Sequence, residues 1–535
     1  MANTLKFGNE NWATKKDSIL AYNDENANFK PLPFTTSRAS TATRVNKAGL
    51  LETVASGIPR VDYLGNTKGA YLLEPQSTNL IARSEDFSNS YWTKSGASIQ
   101  GDVSTAGSDV LSGFNFTNWS AIGGASIVDS DTFNSTSSGG IRKDGLITSG
   151  KTYLITIAGT TEATSFTVRN YGLGITYKTI TSGAFNETFY IEAEDAGFYL
   201  RNNGAYTTNV TTLSVKEVSG FSSPSADTPL GAFKLVEDTS TARHEILVSS
   251  SNSGDLSLSV FAKKGERSVI QFSNAQDPSL FCNFDLDLGV VGSSLNITSS
   301  NIIDIGNGWY RCNVSYNASL SINSSRISIV TSATSVRTES YTGDGTSGVY
   351  IFGAQVEQKS YATSYIPTAG SAITRLADTA SQTLPDGVIG QTEGTVFLDT
   401  VINTDVNGLT RISLSQDVST SNWIFFSAPE VSGGLVRTRI IIYNGGNLQV
   451  NLYGGVLTSG RHKFALAYKE NDVVLYVDGV LDLSDNSALI PSTNKISLIG
   501  SSPASDNADR FNKHSDFKLY NTRLSNSELQ ALTKV

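Results

Sequence analysis

The chain has 535 residues, too many for one hydrophobic core, so several domains are expected. Hydrophobic residues make up 39% and charged residues only 17%, which excludes a solvated polyelectrolyte, and the Ser-, Thr-, Asn- and Gly-rich remainder disfavours long helices. A net charge of −9 leaves no basic footprint for nucleic acid, and no run of 18 apolar residues is available for membrane insertion. Two cysteines, Cys282 and Cys312, cannot frame a disulfide scaffold, and with three histidines they cannot make a four-ligand zinc site. Both are read as buried small apolar side chains.

In chain order, the opening 16 residues lack the apolar core of a secretory signal, so synthesis in a cytoplasm is expected. Residues 1–75 have sparse apolar residues without sustained period and are interrupted by Pro31, Pro33 and Pro59. Such a stretch cannot bury a core of its own, so it is read as an attachment or wrapping segment ordered against a partner. From about residue 76, short alternating runs separated by Gly, Asn and Ser clusters predict strands of five to eight residues at sandwich spacing. Tyr153, Ile155 and Ile157 fall on one strand face, as do Phe284, Leu286 and Leu288. Phe114–Ser120 and Leu213–Val218 are expected as the first and last strands of a sandwich between them. Further on, Gly460–Leu481 reads as two alternating strands turning at Glu470–Asp472, with Asp478-Gly479 as a type I′ hairpin turn. Ser525 and Glu528 make a capping box ahead of Leu529 and Leu532, predicting a short terminal helix.

Several of these segments are motif-like in order and composition. Leu72–Ile81 continues into Arg83–Lys94, and is followed by Ala262–Ser268, Gly306–Val314, Tyr341–Glu357 and Ala362–Arg375. Together they resemble a jelly-roll module common in bacteriophage tail and fibre proteins, and Ser37–Asn46 with Ile58–Tyr63 resembles its usual leader. In that pattern the Tyr91-Trp92-Thr93-Lys94 strand leads directly into a segment like Pro224–Glu237, whereas here about 120 residues intervene. A nested arrangement is therefore expected: module A from 76–100 and 221–378, with a second jelly-roll, module B, at 101–220. Residues 385–535, on the strength of Gly460–Leu481 and Phe517–Leu532, resemble concanavalin A-like (laminin G-like) domains. The fold expected is all-β: tandem sandwiches, one of them nested, with an extended N-terminal segment.

For chemistry, the paired carboxylates Asp285/Asp287 and Glu192/Glu194 have a spacing near that of glycosidases, but sit where solvated strand-face acids belong. No Gly-x-Ser-x-Gly elbow or His-Glu-x-x-His metal motif occurs. Trp92 and Trp309 occupy motif positions and are assigned to cores. Sugar faces stack on aromatic rings, so Trp423 and Tyr443 are the candidates for glycan binding, with His514 at the edge of the last domain. Asp344, Asp506 and Asp509 lie in Gly- or Asp-bearing loops that could supply oxygen ligands to a structural calcium; no other cofactor is expected.

The resemblance implies a non-enzymatic structural protein of a bacteriophage virion, a head or tail fibre or appendage made in the host cytoplasm. Residues 1–75 would dock to other virion proteins, the chain would form a homotrimer, and its β domains would bind host surface glycans weakly but multivalently. Two alternatives stay open: a capsule depolymerase, and a scaffold without ligand.

Overall fold

The computed structural model describes residues 4–21, 32–101, 106–111, 113–172, 174–218, 221–250, 252–318, 323–402, 410–417, 420–432, 435–498 and 512–535. The protein is built of β-sandwiches: 58% of the described residues are in strands and 2% in helix. Ser, Thr and β-branched residues suit half-buried pleated surfaces, and Gly and Asn close the turns between them. Among the described residues no helix is long and apolar enough to cross a membrane. The chain divides into two compact units, Ile99–Lys234 and the remainder.

The unit Ile99–Lys234 is a nine-stranded antiparallel assembly around two long strands, Thr152–Asn170 and Thr176–Glu192. These run 19 and 17 residues, well beyond the five to eight expected. The pairing continues past register shifts at Thr161/Ser165 and Val168/Arg169, so one strand keeps its partner through bends that break the alternation. Tyr153, Ile155 and Ile157 do point inward together, beside Phe133, Phe166 and Val215. Phe114–Ser120 is not a strand. Its centre is a 3-10 turn, Phe116–Asn118, because the Asn115 side chain accepts the Thr117 N–H and offers the backbone a local alternative to a ladder.

The other unit contains two sandwiches. In the first, one six-stranded sheet includes, in order, Gly348–Glu357, Gly254–Lys264, Trp309–Ala318 and Ser299–Gly306. The facing sheet includes His244–Ser250, Asn323–Ile329, Val269–Asn274 and Phe281–Asp285. Leu258, Val260, Phe272, Cys282, Phe284 and Cys312 are buried between them, and both cysteines are free thiols. Trp92 and Trp309 are each 1% exposed, in keeping with core roles. The strand through Phe284 ends at Asp285, whose carboxylate accepts the N–H groups of Asp287 and Leu288 and turns the chain. Leu288 is consequently exposed instead of sharing the face of Phe284.

The second sandwich pairs an eight-stranded with a nine-stranded sheet. The apolar residues of the N-terminal segment are spent here, on the chain's own core. Leu5–Gly8 pairs with Asn512–Tyr520, in register Phe7↔Phe517. Ser18–Ala21 and Leu32–Ser37 extend the nine-stranded sheet through Thr379–Thr383, and Arg60–Asp62 and Ala70–Leu73 extend the other. Leu5, Phe7, Ile19 and Phe34 join Leu398, Phe426, Phe464 and Leu519 in one cluster. Asp478 and Gly479 both have positive φ (50° and 85°), as a type I′ turn requires. The helix Asn526–Thr533 carries the Ser525/Glu528 capping box and buries Leu529.

Candidate functional site

A cavity of about 450 Å³ lies on the outer face of the sheet that contains Trp309–Ala318. That volume is in the range of small-molecule sites. Alternation makes its floor. Cys312, Val314 and Tyr316 point into the sandwich, so Arg311 and Asn313 point the other way, in register with Ile303 and Asn301 on one neighbouring strand. Phe261 faces Arg311 from the strand on the other side. The segment Tyr361–Tyr365 forms one wall. Thr43–Val45, Asp62, Leu72 and Glu74 form a second, and Val401, Ile402, Ser459, Gly460 and Lys513 a third. Asn301, Val401, Ser459 and Gly460 are exposed and mark the mouth, while Phe261, Glu74, Arg311 and Thr363 are buried at depth.

Charge is concentrated behind this cavity. The Glu74 carboxylate receives Arg60 and Arg375, both at 2.7 Å, and the Ser364 hydroxyl and N–H. Asp378 receives Arg60 at 2.5 Å and Arg38 at 3.1 Å. Burial works to raise the pKa of Glu74, but Arg375, Arg60 and the Ser364 hydrogen bonds outweigh it and hold the carboxyl at about 2. Lys513 donates to Asp62 at 2.7 Å, and Arg44 pairs with Glu52 at 2.6 Å. Glu357 is fully buried and accepts from Ser77, Gln355 and Thr363. These carboxylates accept hydrogen bonds and brace the walls.

Arg311 differs from its neighbours. It is 7% exposed, it stacks 5.5 Å from the Phe261 ring centre, and its Nη2 donates to Ser259 Oγ (3.1 Å) and the Thr363 carbonyl (2.6 Å). Its Nε meets no partner, and among the described residues no carboxylate lies in ion-pair contact with it. Burial lowers its pKa, opposed by the more distant charge of Glu357. The cavity therefore pairs aromatic and hydroxyl-rich walls with a buried guanidinium, Arg311, that has no carboxylate in contact.

The residues singled out from sequence lie elsewhere. Trp423 and Tyr443 are cross-strand partners stacked on each other at 5.9 Å and 10°. Phe425 lies 5.2 Å from Trp423, so the indole is only 9% exposed and its ring faces are already occupied, contrary to the exposure expected. His514 is fully buried. Desolvation lowers its pKa to about 4, so it is a neutral interior group and not a binding-edge residue. The Asp344 carboxylate accepts hydrogen bonds from the hydroxyls and N–H groups of Ser347 and Thr346, which lower its pKa; it caps its own turn. Asp506 and Asp509 lie outside the described residues. Among the described residues no three metal-ligating side chains of the His, Cys, Asp and Glu types cluster. Of the paired acids, Asp287 is tied to Lys264 and Asp285 to its turn.

The site that does form was missed because its parts come from seven separated stretches of chain, between residue 43 and residue 513. One signal was available: Arg311 alternates with Asn313, Ser315 and Asn317 on the polar face of its strand, and it is the one charged residue there.

No protein-family model matches the chain, and no curated protein does. Among solved structures it is similar to the CBM40 carbohydrate-binding module of the Ruminococcus gnavus IT-sialidase, at 17% identity over 29% of this chain and 92% of that one, with a TM-score of 0.24. The same module bound to α2,3 sialyllactose matches at 16% identity, over 27% and 84%, with a TM-score of 0.24. The Trypanosoma rangeli sialidase matches at 10% identity over 98% of both chains, with a TM-score of 0.21. The expectation of a non-enzymatic chain is not carried forward, because the matched structures include sialidases. The chain is thus similar, over part of its length, to carbohydrate-binding β-sandwich modules, and no residue of theirs is transferred to it.

Proposed function

We propose that this chain binds saccharide in the cavity floored by Asn301, Arg311 and Asn313, as an appendage of a bacteriophage particle that recognises host surface glycans. The observation that carries the binding site is the cavity itself: about 450 Å³, with Tyr361 and Phe261 as apolar surface and amides, hydroxyls and a guanidinium around them. Pyranose recognition needs that combination, one flat apolar face and a few convergent hydrogen-bonding groups. The virion assignment is supported by the order of motifs from Leu72 to Arg375 that resembles phage fibre modules. A single site of this kind binds weakly, and trimerisation on a particle carrying many copies supplies the avidity.

The test is a glycan array probed with the full chain, with Asn301→Ala and Asn313→Ala as cavity variants and bound glycans followed for shortened products. Binding lost in the cavity variants supports the site. Undiminished binding places the saccharide elsewhere, binding to nothing rejects the saccharide reading, and shortened products make the protein a glycan hydrolase. Sedimentation of the free protein as a monomer would contradict the trimer.

A further inference from the structure

We infer that the saccharide taken by this cavity is acidic, its carboxylate bound by the guanidinium of Arg311. The inference rests on the saccharide reading above and adds the chemical class of the sugar.

The first reason is the charge census. The buried charged groups that line or back the cavity are Arg38, Arg60, Arg311, Arg375 and Lys513 against Asp62, Glu74, Glu357 and Asp378. That is five positive and four negative, so the set carries one surplus positive charge. Every other cation in it touches a carboxylate: Arg38 and Arg60 meet Asp378, Arg60 and Arg375 meet Glu74, and Lys513 meets Asp62. Only Arg311 has none in contact; the surplus itself lies with Arg38, Arg60 and Arg375, which share Glu74 and Asp378, and it leaves the surroundings of the cavity net positive.

The second reason is position. A buried charge without its counterion is costly to hold, because the protein interior replaces water poorly. The guanidinium is nonetheless 93% removed from solvent, being 7% exposed, and it lines the cavity. Ser259 and the Thr363 carbonyl engage Nη2 alone, while Nε has no partner. The guanidinium carbon lies 5.5 Å from the Phe261 ring centre, within cation–π range. A guanidinium without a carboxylate in contact, lining a cavity with net positive surroundings, is matched to an anionic group such as a carboxylate, which accepts charge-assisted N–H bonds. The remaining walls are of the kind a sugar meets: Asn301 and Asn313 bring amides and Tyr361 an aromatic ring to the lining.

The experiment uses the full-length protein on an array bearing sialylated, uronic-acid, sulfated and neutral glycans, with each uronic-acid glycan also present in carboxyl-reduced form. Wild type is expected to bind a carboxylate-bearing glycan at least tenfold more strongly than its reduced counterpart. Arg311→Lys, which keeps the charge but loses the fork, is expected to lose about tenfold. Arg311→Gln should abolish the acid-over-neutral preference. Circular dichroism and melting of both variants establish that they are folded, and the wild-type acid-to-reduced ratio needs no variant at all. Equal binding to acidic and reduced forms, or preference for sulfated glycans, overturns the inference while the saccharide reading stands. Absence of binding to any glycan removes both.

Discussion

Residues 99–234 hold their sheets together with apolar side chains, whereas the rest of the chain also buries charge. In the former, Phe116, Phe133, Ile155, Phe166 and Val215 are fully enclosed. Its ion pairs, such as Lys151–Glu217 and Lys178–Glu187, lie out on the surface where solvent screens them. In the latter, Arg60 and Glu74 meet with both side chains at 0% exposure. The difference teaches where function is to be sought. An apolar core tolerates small errors of placement, but buried ions stabilise only when every lone pair and proton is matched, so they are a poor way to gain stability alone. Their collection beside one cavity, with Arg311 lining it and no carboxylate in contact with that guanidinium, marks a place where charge is held in position for something else.

The comparison breaks most visibly if the ionic network is opened. Glu74→Ala leaves Arg60 and Arg375 buried without their shared counterion and is expected to cost about 3–5 kcal/mol in denaturant unfolding. A loss below about 1 kcal/mol would mean that the network is dispensable. Acid is the next lever. The Glu74 carboxyl is held at about 2 against an ordinary 4.5, so its stabilisation is complete above pH 4.5 and fades as pH falls toward 2. His514 has its pKa lowered from 6.5 to about 4: the unfolded chain takes up that proton first, so stability falls between pH 6.5 and 4. Each window is worth on the order of 3 kcal/mol. His514→Leu should flatten the upper one and leave the lower. Hydrogen exchange at pH 4.5 against 7.5 should show protection lost in Asn512–Tyr520 before Thr152–Asn170, and the reverse order would count against the contrast. The smallest effects belong to residues 99–234. Ile155→Val should cost about 0.5–1.5 kcal/mol, and Lys151→Ala should be indistinguishable from wild type.

Local features were legible in the sequence where the physics is local. The Asp478-Gly479 turn, the Ser525/Glu528 cap and the inward trio Tyr153, Ile155 and Ile157 depend on neighbours a few residues away. Phe114–Ser120 failed because Asn115 bonds its own backbone, a choice that composition does not reveal. The N-terminal strands were hidden for the opposite reason. Leu5 and Phe7 look sparse alone, and their partners Leu519 and Phe517 lie some five hundred residues later. Trp423 was chosen as an exposed ring, yet its register partner Tyr443 covers it. Arg311 stands in a motif that was recognised, but its isolation from carboxylates is a property of three walls meeting and cannot be read along one strand.

The most direct test is a crystal structure of the full chain with the acidic glycan that binds best on the array. The account expects the sugar between Asn301 and Tyr361, with its carboxylate in contact with the guanidinium of Arg311. A glycan seated on residues 99–234, or one in the cavity whose carboxylate turns away to solvent, would contradict it.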